Sequence, residues 1–223
     1  MKKLFALLLA IVALLSFASC GEKADDIRGD QTGTPVSSAD ASSDAAFSAG
    51  ATNGLTYESK FIGIGCKLND EWTFYTDEQI RELNNATADL AGDEYKEMLE
   101  NATVIYDMFA SHSNQVDNIN INLEKVNPLT LATIDLEQNF KNLFSTMEQT
   151  LGNIGYTNVQ CSTGKVTIDG KDFTCMNIVS ELGGMKMYQT SVAIKCNGYL
   201  ASITISTFGE NKVSDILEDF YLI

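Results

Sequence analysis

Three two-residue turns in the C-terminal half of the chain place the strongest constraint on its fold. They are Asp169-Gly170, Gly183-Gly184 and Asn197-Gly198, and each lies between runs in which apolar and polar residues alternate. Such residue pairs tolerate the positive φ angles of tight hairpin turns, so the pattern predicts a four-stranded antiparallel meander. The predicted hairpin partners are Ile168 with Lys171, Leu182 with Met185, and Cys196 with Tyr199.

The same register sorts the residues of the meander onto two faces, because successive side chains of a strand point to opposite sides. The predicted core face consists of Val166, Phe173, Cys175, Val179, Tyr188, Val192, Ile194, Cys196, Ala201, Ile203 and Ile205. The other face keeps the apolar residues Met176, Ile178, Met187 and Leu200. This second face is predicted to accept partial cover by a helix.

The four cysteines that follow Cys20 are Cys66, Cys161, Cys175 and Cys196, and their spacings form no CxxC pair. In the predicted register Cys175 lies opposite Val192, four residues from Cys196. That offset is about 13 Å at roughly 3.3 Å per residue, which disfavours a disulfide between the two. Two states stay open for these cysteines: disulfides, which an exported chain permits, and buried free thiols.

The rest of the chain predicts further strand pairs and helices. Thr76-Asp77-Glu78-Gln79 has the form of a capping box, so a helix is predicted to follow it. Further on, Ile119, Ile121 and Leu123 alternate with asparagines, which predicts a strand with one apolar face and one exposed amide face. The predicted strands are 57–64, 66–75, 104–111 and 116–126, and the predicted helices are 80–90, 93–101, 136–153 and 213–220.

These elements predict an α+β domain: an antiparallel sheet of about six to eight strands with helices packed on its faces. The run Gly63-Ile64-Gly65-Cys66-Lys67-Leu68-Asn69-Asp70-Glu71-Trp72-Thr73-Phe74, the long helix before Gly155-Tyr156 and the late meander resemble the PsbP-like α/β/α sandwich family of small secreted bacterial lipoproteins. The resemblance covers roughly residues 57 to 223. It implies a fold and not an activity.

The first twenty residues indicate where the protein is located. Lys2 and Lys3 precede an apolar run of about twelve residues, shorter than the roughly 20 that span a bilayer, and Phe17-Ala18-Ser19-Cys20 follows. The segment resembles a bacterial lipoprotein signal peptide, which implies cleavage before Cys20, acylation of Cys20 by fatty acids such as palmitate, and anchoring on the extracytoplasmic face of the membrane. The alternative is an ordinary secretory signal in which Cys20 is incidental.

Composition then divides the chain into three parts. Residues 1–19 are the predicted signal peptide. Residues 20–54 are rich in Ser, Ala, Asp, Gly and Thr, which predicts a lipidated N-terminus followed by a flexible linker. Residues 55–223 are long enough for a single α+β domain with a substantial core.

The charge of the chain excludes one class of partner. There are 30 acidic and 15 basic residues, which gives a net charge of −15. Nucleic acid binding relies on clustered Lys and Arg, and no such cluster is present, so nucleic acid is not an expected partner. The expected partners are the membrane, through the N-terminal lipid, and an unknown protein or other component of the bacterial cell envelope.

Few residues in the chain suggest chemistry. His112 is the single histidine, so it would have to serve any catalytic triad, and it is predicted to lie in a surface turn. The acidic and amide run at 117–122 lacks the glycine and the distal glutamate of an EF-hand loop. We therefore predict no catalytic residue, no metal site and no cofactor.

A candidate binding groove remains, formed by the aromatic residues Trp72, Phe74, Tyr75, Tyr106 and Phe109. Core packing of these residues is the alternative. The expected function is that of a lipid-anchored extracytoplasmic binding or assembly module with no enzymatic activity. The alternatives are an envelope hydrolase that uses paired carboxylates such as Asp70-Glu71, and a lipoprotein that binds a small molecule.

Overall fold

The computed structural model describes residues 47–84 and 104–223. These residues form a four-stranded sheet, a seven-stranded sheet and five short helices. The strands are β1 Ala51–Asn53, β2 Thr56–Ser59, β3 Ile64–Lys67, β4 Trp72–Phe74, β5 Val104–His112, β6 Asn118–Lys125, β7 Thr157–Ile168, β8 Lys171–Leu182, β9 Met185–Cys196, β10 Tyr199–Phe208 and β11 Phe220–Leu222. The helices are α1 Asp77–Leu83, α2 Pro128–Thr133, α3 Leu136–Lys141, α4 Phe144–Asn153 and α5 Val213–Leu217.

The large sheet confirms the predicted meander. Its order is β4-β5-β6-β10-β9-β8-β7, and its neighbouring strands are antiparallel. Both central residues of each predicted turn have positive φ, including the non-glycine residues Asp169 and Asn197. The pairs Ile168 with Lys171, Leu182 with Met185, Cys196 with Tyr199, and Cys175 with Val192 are all present.

The small sheet, with the order β1-β2-β3-β11, was not predicted. The helix predicted over 213–220 is too long. The observed helix α5 ends at Leu217, and Phe220 lies in strand β11, where it pairs with Cys66 of β3. The physical reason is that Phe220 is buried against the core from an edge of this sheet. Strand β11 therefore forms one edge of the small sheet. The structure has two sheets where the sequence predicted one.

Two apolar cores lie on opposite sides of the large sheet. The first core joins it to the small sheet and α5, and it contains all of the predicted core face except Val179. The second core joins it to the helices α2, α3 and α4, as Met176, Ile178, Met187 and Leu200 predict. The α+β class is confirmed, with a sheet on one face of the large sheet and three helices on the other.

The helix predictions hold in part. Thr76 and Gln79 form the capping box in full, each side chain bonding the backbone N–H of the other residue. The predicted helix 136–153 is two helices, because the backbone makes a tighter turn in which the Leu143 N–H donates to the Phe140 carbonyl, and both of these side chains are buried. The helix predicted at 80–90 is α1, which ends at Leu83 with Asn84 as its C-cap. The remainder of that prediction, 85–90, and the helix predicted at 93–101 lie outside the described residues.

The cysteines of the described residues are free thiols. Burial raises the pKa of Cys66 and of Cys196 to about 12 and that of Cys161 to about 11, and it also raises the pKa of Cys175. These thiols are therefore protonated at neutral pH, and the thiol is a weaker nucleophile than the thiolate. Across 47–84 and 104–223, no helix has the length and apolar character to span a membrane. Cys20 lies outside these ranges.

The folded part begins earlier than residue 55. Phe47 is buried, with its ring 5.4 Å from that of Phe61 and 6.2 Å from that of Tyr199. Residues Ala51–Asn53 pair with β2 as its edge partner. The sequence analysis assigned 47–54 to the linker because the surrounding composition is polar. The buried side chain of Phe47 and the hydrogen bond from the Gly50 N–H to Asp107 hold this segment on the domain.

We predict that Phe47→Ala lowers the free energy of unfolding by about 3 kcal/mol, since it removes a buried aromatic side chain. Ser48→Ala is the matched control, because Ser48 is exposed, and it is expected to change stability by less than about 0.5 kcal/mol. Urea denaturation of both variants checks this. Equal midpoints for the two variants would show that the segment is not part of the fold.

Candidate functional site

An irregularity in β5 determines how the site is built. The pairing of β5 with β6 shifts between Tyr106 and Met108, which leaves Asp107 as the extra residue of a β-bulge. In a regular strand, residues three apart face opposite sides. Because of the bulge, Tyr106 and Phe109 both lie opposite asparagines of β6, on the face of the sheet that also bears the helices.

The carboxylate of Asp107 points to the face of the sheet opposite Tyr106 and Phe109, and each of its two oxygens accepts a hydrogen bond. Its Oδ1 accepts a hydrogen bond of 2.8 Å from the Gly50 N–H, and its Oδ2 accepts one of 2.6 Å from the Tyr57 hydroxyl. Burial raises the pKa of Asp107, although both hydrogen bonds oppose that shift. A Cβ on Gly50 would lie 2.4 Å from the Tyr57 ring, so only glycine fits there. This contact ties the N-terminal segment and the small sheet to β5.

Part of the outer edge of β5 is left open by its neighbour. β4 pairs with β5 only from Ala110 to His112. Further along, the Asn84 side chain accepts a 2.7 Å hydrogen bond from the Tyr106 N–H and donates a 2.9 Å bond to the Tyr106 carbonyl. A side-chain amide therefore stands where a neighbouring strand would otherwise lie.

An open cleft of about 180 Å³ lies at this edge. Its walls include the aromatic and aliphatic side chains of Phe47, Tyr75, Ile80, Tyr106 and Phe109. The charged residues around it are Asp77, Arg81 and Asp107. The rings of Tyr75 and Phe109 are 4.4 Å apart. The structure thus brings Tyr75, Tyr106 and Phe109 of the predicted groove together in one concave site.

Trp72 and Phe74, the other two predicted groove residues, belong to the opposite face. They are two residues apart in β4, so both side chains turn into the first core. The Trp72 ring meets the His112 ring edge-on at 5.0 Å, and the His112 Nε2 is 3.6 Å from a carboxylate oxygen of Glu71. His112 therefore ends β5 in a packed position rather than in the predicted surface turn, and it lies apart from the cleft lining.

The prediction of an exposed amide face on β6 is wrong. Asn120, Asn122 and Glu124 are 2%, 0% and 2% exposed. β6 is an interior strand, and its neighbours β10 and β9 place small polar side chains beside it on the same face. We call this surface the polar face, and it consists of Asn120, Asn122, Glu124, Gln189, Ser191, Ser202, Thr204 and Ser206.

The polar face has an internal hydrogen-bond network that leaves some acceptors without a donor. Asn122 donates to the Asn120 Oδ1 at 3.1 Å, and the hydroxyls of Ser191 and Thr204 are 3.1 Å apart. Asn122 Oδ1, Glu124 Oε2 and Gln189 Oε1 are buried, and no hydrogen-bond partner for them lies within the described residues. Burial also raises the pKa of Glu124 to about 7. Buried unpaired acceptors of this kind destabilise a fold by about 1–3 kcal/mol each.

Metal-ligating side chains do not gather in one place among the described residues. Within them, no cluster of three or more His, Cys, Asp or Glu side chains is placed to hold a metal ion. Asp107 of the cleft and Glu124 of the polar face are both buried carboxylates. They lie on opposite faces of the large sheet, so they do not flank a common bond as the carboxyl pair of a glycosidase does.

The sequence contained signals for the residues that the prediction missed. Asp107 is the single charged residue in the otherwise apolar run 104–110. A lone acid inside a buried strand needs its own hydrogen-bond partners, and a bulge is one way to direct it to them. For the polar face, the signal was the alternation of Ser202, Thr204 and Ser206 with Ala201, Ile203 and Ile205 of the predicted core face.

Comparison with known proteins adds two distant likenesses. No protein-family model and no curated protein matches the chain. The chain is similar to LpqN, which is involved in cell envelope biogenesis of Mycobacterium tuberculosis, with a TM-score of 0.36 and 12% identity over 71% of this chain and 82% of LpqN. It is also similar to a protein of Bacteroides thetaiotaomicron VPI-5482, with a TM-score of 0.38 and 10% identity over 77% of this chain and 49% of that one. Likenesses at this level do not identify a family.

We predict that Glu124 makes the protein less stable as pH rises. The pKa of its carboxyl is raised from 4.5 to about 7 in the folded chain. Folding therefore favours the protonated form, and the associated stability is fully present below about pH 4.5 and is lost as pH rises through about 7. The glutamine of Glu124→Gln cannot ionise, so this variant should be more stable than the wild type by about 3 kcal/mol at pH 8 and by less than about 1 kcal/mol at pH 5.

Urea denaturation at pH 5, 6, 7 and 8 measures this difference. Glu78→Gln is the matched control, because Glu78 is exposed in the first turn of α1. A difference between Glu124→Gln and the wild type that is the same at every pH would contradict the prediction.

Proposed function

We propose that the chain is a lipid-anchored, extracytoplasmic binding module of the bacterial cell envelope, and that the cleft beside β5 is its binding site. One observation carries the second part of this proposal. The cleft is open and has aromatic walls, while its buried carboxylate, Asp107, already accepts hydrogen bonds from Gly50 and Tyr57. Such a cleft offers contact surface to a ligand, and its buried carboxylate is already occupied by hydrogen bonds from the protein.

The geometry disfavours the hydrolase that the sequence left open. A glycosidase needs two carboxyl groups on either side of one bond, about 5 to 10 Å apart. Here Asp107 faces the small sheet and Glu124 faces the opposite side. Asp77, the other acid of the cleft, is exposed at the first position of α1. Binding therefore accounts for the cleft better than hydrolysis does.

The location is proposed from the sequence. The segment Phe17-Ala18-Ser19-Cys20 after an apolar run supports cleavage before Cys20 and its acylation. The polar composition of 21–46 supports a tether between the lipid and Phe47, where the described fold begins. Kinship with the PsbP-like family stays part of this proposal and is supported by the run 63–74 and the late meander.

We predict that Cys20→Ala releases the protein from membranes, because it removes the acceptor of the lipid. Cell fractionation measures the release, and metabolic labelling with a radioactive fatty acid should mark the wild type but not the variant. Cys161→Ala is the matched control, since Cys161 lies within the folded domain and should leave both results unchanged. Continued labelling of Cys20→Ala would show that the anchor is elsewhere or absent.

We predict that a photo-crosslinking amino acid at position 75 captures the bound component in intact cells, because Tyr75 is a half-buried wall of the cleft. The same amino acid at position 162 is the control, since Ser162 is exposed on β7 and is not part of the cleft. Gel mobility and mass spectrometry of the purified protein identify adducts. Adducts that are the same at both positions, or absent at position 75, would contradict a binding role for the cleft.

A further inference from the structure

We propose that the cleft and the end of the polar face next to it bind one six-membered sugar ring of a neutral saccharide. This inference rests on the proposed binding role of the cleft and names the class of ligand. The end of the polar face that takes part consists of Asn120, Asn122 and Glu124. Four observations support it: the size of the cleft, its aromatic walls, the unpaired acceptors behind it and the charges around it.

The size of the cleft limits the ligand. Pockets for drug-sized ligands measure about 300–1,000 Å³, whereas a cavity of about 150 Å³ accepts a benzene ring. At about 180 Å³, the cleft accommodates a single six-membered ring. The open side leaves room for the rest of a chain of rings to continue into solvent.

The side chains at the cleft match the two kinds of surface that a sugar ring presents. Its C–H face packs on aromatic rings, which Tyr75 and Phe109 supply. Its hydroxyl groups are hydrogen-bond donors. Directly across the strand pair from Tyr106 lies Asn122, whose Oδ1 lacks a donor among the described residues, and the Oε2 of Glu124 is in the same situation.

The acceptors lie one strand inside the aromatic wall, so the ligand reaches them only when a side chain of that wall changes rotamer. Tyr106 is the cleft residue that pairs directly with Asn122 in the strand register. Rotamer changes cost far less than unfolding a strand, and the open side of the cleft gives the ring space to move into. Ligand binding is thus expected to displace the Tyr106 ring.

The charges favour a neutral ligand. Among the described lining residues of the cleft, Asp77 and Asp107 are acidic and Arg81 is basic, and Glu124 lies on the neighbouring strand β6. The chain as a whole carries a net charge of −15. An anionic sugar is therefore repelled, while hydroxyl groups remain attractive to the unpaired acceptors.

Saturation-transfer NMR on the purified full chain tests the proposal. The probes are the methyl glycosides of glucose, galactose, mannose and N-acetylglucosamine, with cyclohexanol and glucose 6-phosphate as comparison ligands. At least one methyl glycoside is expected to bind saturably, with a dissociation constant on the order of 1 mM. Cyclohexanol, which has one hydroxyl, and the anionic glucose 6-phosphate are both expected to bind at least about tenfold more weakly than that glycoside.

Variants locate the site. Tyr75→Ala removes a wall of the cleft and Asn122→Ala removes an unpaired acceptor, so each should weaken binding about tenfold. Gln189→Ala is the matched control. Gln189 has the same kind of buried unpaired oxygen, but it lies about 16 Å from Asn122, estimated from strand spacing, and its replacement should leave binding unchanged.

Four outcomes overturn the inference. Either no methyl glycoside binds saturably, or cyclohexanol or glucose 6-phosphate binds as well as the glycosides. The other two are that Tyr75→Ala leaves binding unchanged, or that Gln189→Ala weakens binding as much as Asn122→Ala does. Because Tyr75 is half-buried at the surface, Tyr75→Ala decides the question even if Asn122→Ala fails to fold. Crosslinking at position 75 without glycoside binding would support the proposed binding role and contradict only the saccharide as its ligand. Failure of that crosslinking would contradict the proposed function itself.

Discussion

The buried carboxylate of Asp107 is the interaction on which the arrangement of this domain depends. A charge in the interior is tolerated only when hydrogen bonds satisfy it, and Asp107 receives them from Tyr57 of the small sheet and from Gly50 of the N-terminal segment. The bulge that directs Asp107 toward these donors also reverses the alternation of β5. As a result Tyr106 and Phe109 share a face and form a wall of the cleft. One backbone irregularity therefore joins the two sheets and creates the candidate site.

The two faces of the large sheet differ in polarity. The face toward the small sheet is mainly apolar across its central strands, and its polar exceptions include Asp107 and the hydrogen-bonded pair of Asn177 and Thr190. The other face is apolar only where α2, α3 and α4 pack, and it is polar along β6 and the adjoining parts of β10 and β9. A fold that needed only stability would gain from apolar side chains at Asn122 and Glu124, since the acceptors there are buried without donors. Retaining them is easier to explain by binding than by folding.

The sequence predicted those parts of the fold that local chemistry determines. The three hairpin turns fixed the register from Val166 to Ile205, because each turn allows one pairing and each pairing sorts the side chains onto one face. The contributions of Phe47 and Phe220 were not predictable in this way. Both depend on contacts between residues far apart in the chain, and short apolar segments favour helix, strand and linker about equally. The burial of Asn120 and Asn122 was missed for a related reason, since alternation identifies a polar face but not whether that face is covered.

Glu124 connects the stability of the domain to its proposed ligand. Without a ligand, its carboxyl pKa is raised to about 7 by burial, so ionisation at higher pH works against the fold. A hydroxyl group that donates to the Glu124 carboxylate favours the ionised form and lowers that pKa. A ligand of this class would therefore bind more tightly as pH rises, over the same range in which the unliganded domain becomes less stable. Binding would return the stability that ionisation removes, because a ligand bound only to the folded state shifts the equilibrium toward it. The opposite pH dependences follow from one carboxyl group, and that coupling separates a binding role of Glu124 from a purely structural one.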